Sequence, residues 1–218
     1  MTPALPKKTG TIFVVDDDTS FLRSLSRLLT AVGYSVEAYL SARDFFARPA
    51  PARPGCVVAD LQMPGINGLQ LQAALHQSAN PLPVIFLTGQ GDIPATVSAM
   101  RGGAEDFLTK RAPKEELLAA VERALERDLR ERQQRLRQRE LSVRFEELSE
   151  REREVLSHVV QGKMNKEIAA ALKLNVRTVK LHRTNLTRKL NVQSVAELTR
   201  LADECGLFKK ATCPKGQL

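Results

Sequence analysis

No stretch of this 218-residue chain stays apolar for the roughly 18 residues that a bilayer-spanning helix needs, which excludes a membrane-crossing helix. Met1 to Lys8 lacks the apolar centre of a secretory signal, so export is not expected. Cysteine is scarce. Cys56, Cys205 and Cys213 are odd in number and lie at no metal-binding spacing. That excludes a disulfide framework and a cysteine metal centre, and it implies reduced thiols in a cytoplasmic protein. Glycine and proline are missing from Lys114 to Val143, so nothing there interrupts a helix. The front of the chain lacks net charge. Residues 1–120 hold 11 Lys/Arg against 11 Asp/Glu.

The positive charge lies behind that neutral half. Residues 121–145 carry 8 basic against 5 acidic residues, and residues 146–218 carry 14 against 9. Together they account for the net charge of +8. A neutral front and a basic rear predict nucleic-acid contact through the C-terminal part. The length suits two modest domains, and a hydrophobic fraction of 43% is that of a globular protein.

The front half is organised around Cys56-Val57-Val58-Ala59-Asp60, an apolar run that stops on a carboxylate before Met63-Pro64-Gly65. It reads as a buried strand. Alone, Asp60 reads more readily as a cap on the next turn. A second apolar run, Thr11 to Val15, also ends on acid: Asp16, Asp17 and Asp18. Carboxylates crowded together raise one another's pKa unless a positive charge joins them. A hard divalent ion such as Mg²⁺ prefers carboxylate oxygens and keeps open positions. The two strand ends therefore suggest an Mg²⁺-assisted phosphoryl-acceptor pocket with Asp60 as nucleophile.

Helical and extended patterns alternate through this half. Leu22, Leu25, Leu28, Leu29 and Val32 recur at helical spacing, and Gly33 ends that helix. Tyr34–Ala38, Pro83–Leu87 and Asp106–Leu108 read as further strands. Ser41, Asn67 and Pro94 open the intervening helices. Five strand–helix alternations predict an α/β doubly wound, five-stranded parallel sheet. Strand four ends on Thr88 and strand five on Lys110, a hydroxyl and a cation suited to phosphoryl oxygens.

With Val15-Asp16-Asp17, Asp60 with Met63-Pro64 and Gly68, Thr88-Gly89 and Lys110, residues 11–120 resemble the receiver domain of two-component response regulators. The resemblance implies phosphorylation of Asp60 by a sensor histidine kinase. It implies Mg²⁺ on Asp16, Asp17, Asp60 and the Gln62 backbone carbonyl, with Thr88 and Lys110 on the phosphoryl oxygens. Phe107 matches the aromatic switch position that moves with Thr88. One residue departs from the family: Arg111 follows Lys110 where Pro is usual. Gln62 and Gln90 border the pocket and are expected to tune hydrolysis.

Residues 121–145 read as a helical linker, with Leu118, Leu125, Leu129, Leu136 and Val143 in a row broken by Arg132 and Arg139. The row is compatible with a dimer stalk or with a plain spacer. Beyond it, Ser149 and Glu152 form a capping box, Asn165 starts a short helix, and Asn175 caps a third helix whose polar face carries Arg177, Lys180, Arg183, Thr184, Arg188 and Lys189. Ser194 opens a fourth. A short helix, a tight turn and a basic-faced helix form a helix-turn-helix.

Leu148–Glu152, Asn165–Ala169, Thr178–Lys180, His182-Arg183 and Lys189-Leu190 make residues 146–207 resemble the four-helix LuxR-type DNA-binding domain of NarL/FixJ regulators. That resemblance implies base contacts from Lys180, Leu181 and Thr184. It assigns phosphate or orienting roles to Arg177, His182, Arg183 and Arg188, with Lys166 on the DNA backbone. The Gly89-Gln90-Gly91-Asp92 loop and the domain order look most like the FixJ/StyR/TodT group of activators. The whole reads as a cytoplasmic regulator that dimerises when phosphorylated, binds operator half-sites roughly 34–36 Å apart, and acts with RNA polymerase. Two alternatives remain: a phosphorylation-independent DNA-binding regulator, and a phosphatase using Asp60. Residues 1–10 and 208–218 are expected to be a disordered leader and a loose tail.

Overall fold

A computed structural model describes residues 8–47, 54–89 and 93–204. The Pro-rich loop before the Asp60 strand, residues 90–92, Cys205, Cys213 and the expected tail lie outside these residues. Among the described residues, no helix is long and apolar enough to cross a membrane. The chain divides into two compact units, residues 1–133 and 134–218.

The first unit holds five parallel strands: β1 (Thr11–Val15), β2 (Ser35–Tyr39), β3 (Gly55–Asp60), β4 (Val84–Thr88) and β5 (Asp106–Thr109). Their order in the sheet is β2-β1-β3-β4-β5. Four helices alternate with them: α1 (Thr19–Ala31), α2 (Ala42–Phe46), α3 (Gly68–His76) and α4 (Ile93–Arg101). A fifth, α5 (Lys114–Glu146), runs unbroken for 33 residues. Val15 pairs with Ala59 and Asp60 with Leu87. Asp16 and Asp60 thus stand level at the carboxyl edge, where the strand order reverses. That reversal is where open α/β sheets bind ligands.

Alternating side chains explain the layers. Phe13, Val15, Val57, Ala59 and Phe86 bury against α2, α3 and α4 on one face. Ile12, Val14, Val58, Ile85 and Leu87 bury against α1 and α5 on the other. A strand covered on both sides must be apolar along its length, and β1, β3 and β4 are buried throughout, with polar residues only at their ends, Thr11, Asp60 and Thr88. Helices α2 and α3 start where the sequence places their caps, and α1 starts on Asp18, which the sequence reading left in the acidic run. Asp18, Ser41 and Asn67 each accept backbone N–H bonds at an N-terminus.

Residues 121–145 do not form a uniformly solvated helix. Val121, Ala124 and Leu125 are buried in the sheet's core, whereas Leu129, Leu136 and Val143 are exposed. Asp128 is fully buried: one carboxylate oxygen accepts the Gly55 N–H at 2.8 Å and an Arg132 Nε–H at 2.7 Å. Arg123 and Arg127 reach back to Asp106 and Glu105 beside β5. Lys8 lies in the stretch expected to be a disordered leader, yet it is bound, donating to Tyr34 Oη at 3.2 Å and Glu122 at 2.6 Å.

The second unit packs the end of α5 with α6 (Glu150–Val160), α7 (Asn165–Leu172), α8 (Val176–Leu190) and α9 (Val195–Glu204). Leu141, Phe145, Leu156, Ile168, Val179, Leu186 and Leu198 form its core. Ser149 and Glu152 cap α6 reciprocally, as their spacing predicts. Lys173 ends α7 in the left-handed region, at φ 53°. Lys189 corrects the reading of the polar face: it donates to Glu152 at 2.7 Å and to the Glu147 carbonyl at 3.0 Å. It is therefore a structural cation.

Two expectations follow. A Cβ on Gly68 would sit 2.6 Å from the Asp60 carbonyl oxygen and 2.8 Å from Phe86 Cε1. Overpacking of this kind costs about 1–3 kcal/mol, so Gly68→Ala should lower the urea midpoint accordingly. Burial of Glu152 works to raise its pKa, but hydrogen bonds from Lys189 and Ser149 outweigh it and hold the carboxyl below its ordinary value. A group depressed on folding stabilises above its ordinary pKa and loses that contribution as pH falls through the folded value. Hydrogen exchange of α6 amides should therefore be faster in Glu152→Gln at neutral pH. The gap to wild type should close below the ordinary glutamate range.

Candidate functional sites

The carboxyl edge of the sheet gathers three acids. Oxygens of Asp16, Asp17 and Asp60 all lie within 4.8 Å of one another. Asp16 is 2% exposed and Asp60 8%, while Asp17 faces solvent. Asp18, the third member of the acidic run, is absent from this group. It turns to α1 and accepts from Ser20 and Phe21 N–H. Those bonds hold its carboxyl below the ordinary value. Three adjacent aspartates thus perform different tasks, a division that composition cannot reveal.

Lys110 stabilises the cluster. Its Nζ lies 2.7 Å from Asp16 Oδ2 and 2.9 Å from Asp60 Oδ2, and 4.6 Å above the Phe21 ring. Burial works to lower the lysine pKa, but the two carboxylates prevail and raise it. Asp16 is raised chiefly by its own burial, against the opposing hydrogen bonds from Lys110 and the Asp18 N–H. Every peptide bond among the described residues is trans, including that before Arg111, and Lys110 still reaches both acids. The Lys110 N–H bonds the Thr88 carbonyl at 2.8 Å, so the ends of β4 and β5 meet. Phe21 is a partner that sequence reasoning missed, because no local signal links positions 89 residues apart.

The other predicted residues lie around this centre. The Gln62 N–H approaches Asp60 Oδ1 at 3.3 Å. Thr88 is buried at the end of β4, one residue beyond the level of Asp60. Phe107 is half-buried, 6.2 Å from Phe86 between ring centroids. Gln90 lies outside the described residues. An open cleft of about 530 Å³ beside the acids is lined by Asp17, Gln62, Met63, Asn67 and Ala95, among others. The donor set suits a hard cation: three carboxylates, two of them buried, with an exposed third side. Such a group fits Mg²⁺ on Asp16, Asp17 and Asp60, three of the four ligands that the family resemblance implies.

In the second unit, α8 presents a single stripe. Its exposed residues are Arg177, Lys180, Leu181, Thr184 and Arg188. Their spacing of three, one, three and four places them on one side of a helix. Val179, Leu186 and Leu190 are buried opposite. His182 and Arg183 are half-buried at the flanks. Arg183 donates to Asn165 Oδ1 at 2.8 Å, tying α8 to the start of α7. Lys166 is exposed on α7. Three cations and a threonine around one leucine form a surface suited to phosphates and base edges.

The geometry defines a class: an acid-and-lysine cluster at the carboxyl edge of a doubly wound sheet, carried in one chain with a helix-turn-helix. Comparison with known proteins narrows it. Residues 12–122 match the family described as response regulator receiver domain, and residues 146–202 match bacterial regulatory proteins of the luxR family. Nodulation protein W of Bradyrhizobium diazoefficiens is 43% identical over 201 residues, covering 92% of this chain and 88% of that protein. Response regulator protein TodT of Pseudomonas putida is 39% identical, covering 90% and 86%. The solved structure of the response regulator StyR is similar, with TM-score 0.79 and 41% identity over 90% of this chain and all of that one. Full-length FixJ from B. japonicum gives 0.56 and 34%, covering 93% and 99%. The chain belongs to the NarL/FixJ-type response regulators, two-component transcription regulators with a LuxR-type DNA-binding domain. These are not enzymes, so the phosphatase alternative falls away.

The α8 stripe generates a measurable difference between two arginines. Each phosphate contact contributes about 0.9 to the slope of log affinity against log salt. Arg177→Ala should reduce that slope by about one such step on any duplex. Arg183→Ala should leave the slope near wild type and instead destabilise the α7–α8 pair by about 1 kcal/mol, the worth of one internal hydrogen bond. Titrations at several salt concentrations, with thermal melts, distinguish the two.

Proposed function

We propose that Asp60 accepts a phosphoryl group from the histidine of a sensor kinase, and that this acylphosphate controls DNA binding. A carboxylate oxygen of Asp60 attacks phosphorus, the N–P bond of the phosphohistidine breaks, and the imidazole leaves with a proton from solvent. The observation that carries this reading is the convergence of Asp16, Asp17 and Asp60 with Lys110 where the sheet order reverses. Mg²⁺ would be held by Asp16, Asp17, Asp60 and the Gln62 carbonyl, and would supply positive charge to the phosphoryl oxygens. Lys110, already at Asp60, donates to one of those oxygens, and the Thr88 hydroxyl to another.

Phosphorylation then biases a two-state element at Thr88 and Phe107. The phosphorylated form is a homodimer that seats two α8 helices in the major groove of a double-stranded operator. Lys180, Leu181 and Thr184 face the bases there, and Arg177, His182, Arg188 and Lys166 steady the complex on the backbone. The outcome is activation of transcription together with RNA polymerase, in the cytoplasm. A second reading is favoured by Arg111, which stands exposed where the family usually has Pro: the regulator binds DNA without phosphorylation.

Incubation with acetyl phosphate and Mg²⁺ should add one phosphoryl group per chain, read by intact mass. Asp60→Asn and chelation of the metal should each abolish it. Unchanged labelling of Asp60→Asn would overturn the assignment. Operator affinity that fails to rise on phosphorylation would favour the second reading.

A further inference from the structure

The exposed stripe of α8 contains one residue that does not fit a phosphate-binding surface. Leu181 is 59% exposed, sixth in the helix, and flanked by Lys180 and Thr184. It contributes nothing to the core, which α8 builds from Val179, Leu186 and Leu190 on the opposite side. Its side chain has neither donor nor acceptor. The cations around it leave the stripe strongly positive, so the surface that covers Leu181 in function is polyanionic and not another apolar protein face.

A major groove offers hydrogen-bonding atoms on every base pair but only one apolar feature, the C5-methyl of thymine. Set against any other edge, Leu181 would strip water from a donor or acceptor without replacing the lost bond, which is costly. Recognition helices also reach base edges with their N-terminal residues, where Leu181 lies. We infer that Leu181 reads one thymine in each half-site, and that it does so through the C5-methyl group and not through the hydrogen-bonding edge. This rests on the reading that α8 enters the major groove. Lys180 and Thr184, which have polar ends, read the neighbouring positions.

A methyl-specific contact has a signature that other readouts lack. Replacing the thymine by uracil removes the methyl and leaves every hydrogen-bonding atom in place. Cytosine and 5-methylcytosine at the same position differ by the same methyl on a different edge. The full-length phosphorylated protein would first select duplexes from a random-sequence pool. Uracil would then be placed at each selected thymine in turn. At one thymine per half-site, wild type should lose about three- to tenfold in affinity, the scale of one methyl(ene) group withdrawn from apolar contact. The 5-methylcytosine duplex should bind tighter than the cytosine duplex by a similar factor. Both methyl effects should vanish in Leu181→Ala. Leu181→Gln, which keeps the length but substitutes an amide, should select adenine at that position.

The possible failures are distinguishable. If wild type selects no consensus, the major-groove reading of α8 itself is wrong, and this assignment falls with it. If a consensus emerges but no thymine is methyl-sensitive, Leu181 does not read a methyl group, though the groove reading stands. Methyl sensitivity that persists in Leu181→Ala assigns the contact to another residue and overturns the inference. An unchanged consensus from Leu181→Gln does the same.

Discussion

The bond pair from the Lys110 ammonium to Asp16 and Asp60 sets the terms for the rest of the first unit. Two carboxylates that bury nearly all their surface at the same strand level would repel one another, and burial alone already raises Asp16. A cation must therefore stand between them. Here it comes from the residue that follows β5, whose end opens on the same edge. The order β2-β1-β3-β4-β5 provides this: β1 and β3 deliver the acids side by side, and β5 returns to deliver the lysine. The cost of grouping charge is met by topology, and the same grouping makes the edge receptive to a charged ligand.

The second unit solves a related problem with the opposite sign. It is rich in lysine and arginine, yet its cations are not equivalent. Lys189 is consumed by Glu152 and a backbone carbonyl, and Arg183 by Asn165. These internal bonds fix how α8 meets α6 and α7. What remains outward is a narrow row that combines charge, a hydroxyl and one leucine. Net charge accounts for attraction to DNA, whereas the sorting of cations between interior and exterior determines which residues can contribute to it.

Much of this was legible in the sequence, and for identifiable reasons. β1, β3 and β4 are apolar on both faces, so their runs are continuous and stop abruptly on Asp16, Asp60 and Thr88. The caps at Ser41, Asn67, Ser149 and Asn175 are local hydrogen-bond chemistry, and each is found where the spacing places it. What could not be read depends on contacts between distant residues. The spread of tasks across Asp16, Asp17 and Asp18 is one example, the Phe21 ring beneath Lys110 a second, and the inward turn of Lys189 a third. The row from Leu118 to Val143 is a further case. Its members share a spacing but not an environment: Leu118 and Leu125 pack on the sheet's core beside Val121 and Ala124, whereas Leu129, Leu136 and Val143 are exposed.

Asp128 bears on the mechanics of α5. Its carboxylate lies fully inside the protein and grips the first amide of β3, while Arg132 clasps it one helical turn on. Rolling the helix about its long axis would carry Asp128, with Arg132 still paired to it, away from β3 and leave the buried Gly55 N–H without its acceptor, at a cost of about 1–3 kcal/mol. Sliding it by a turn would do the same. Against the sheet, then, this part of α5 is keyed: twisting or slipping independently of the strand that ends in Asp60 breaks the bond between Asp128 and Gly55.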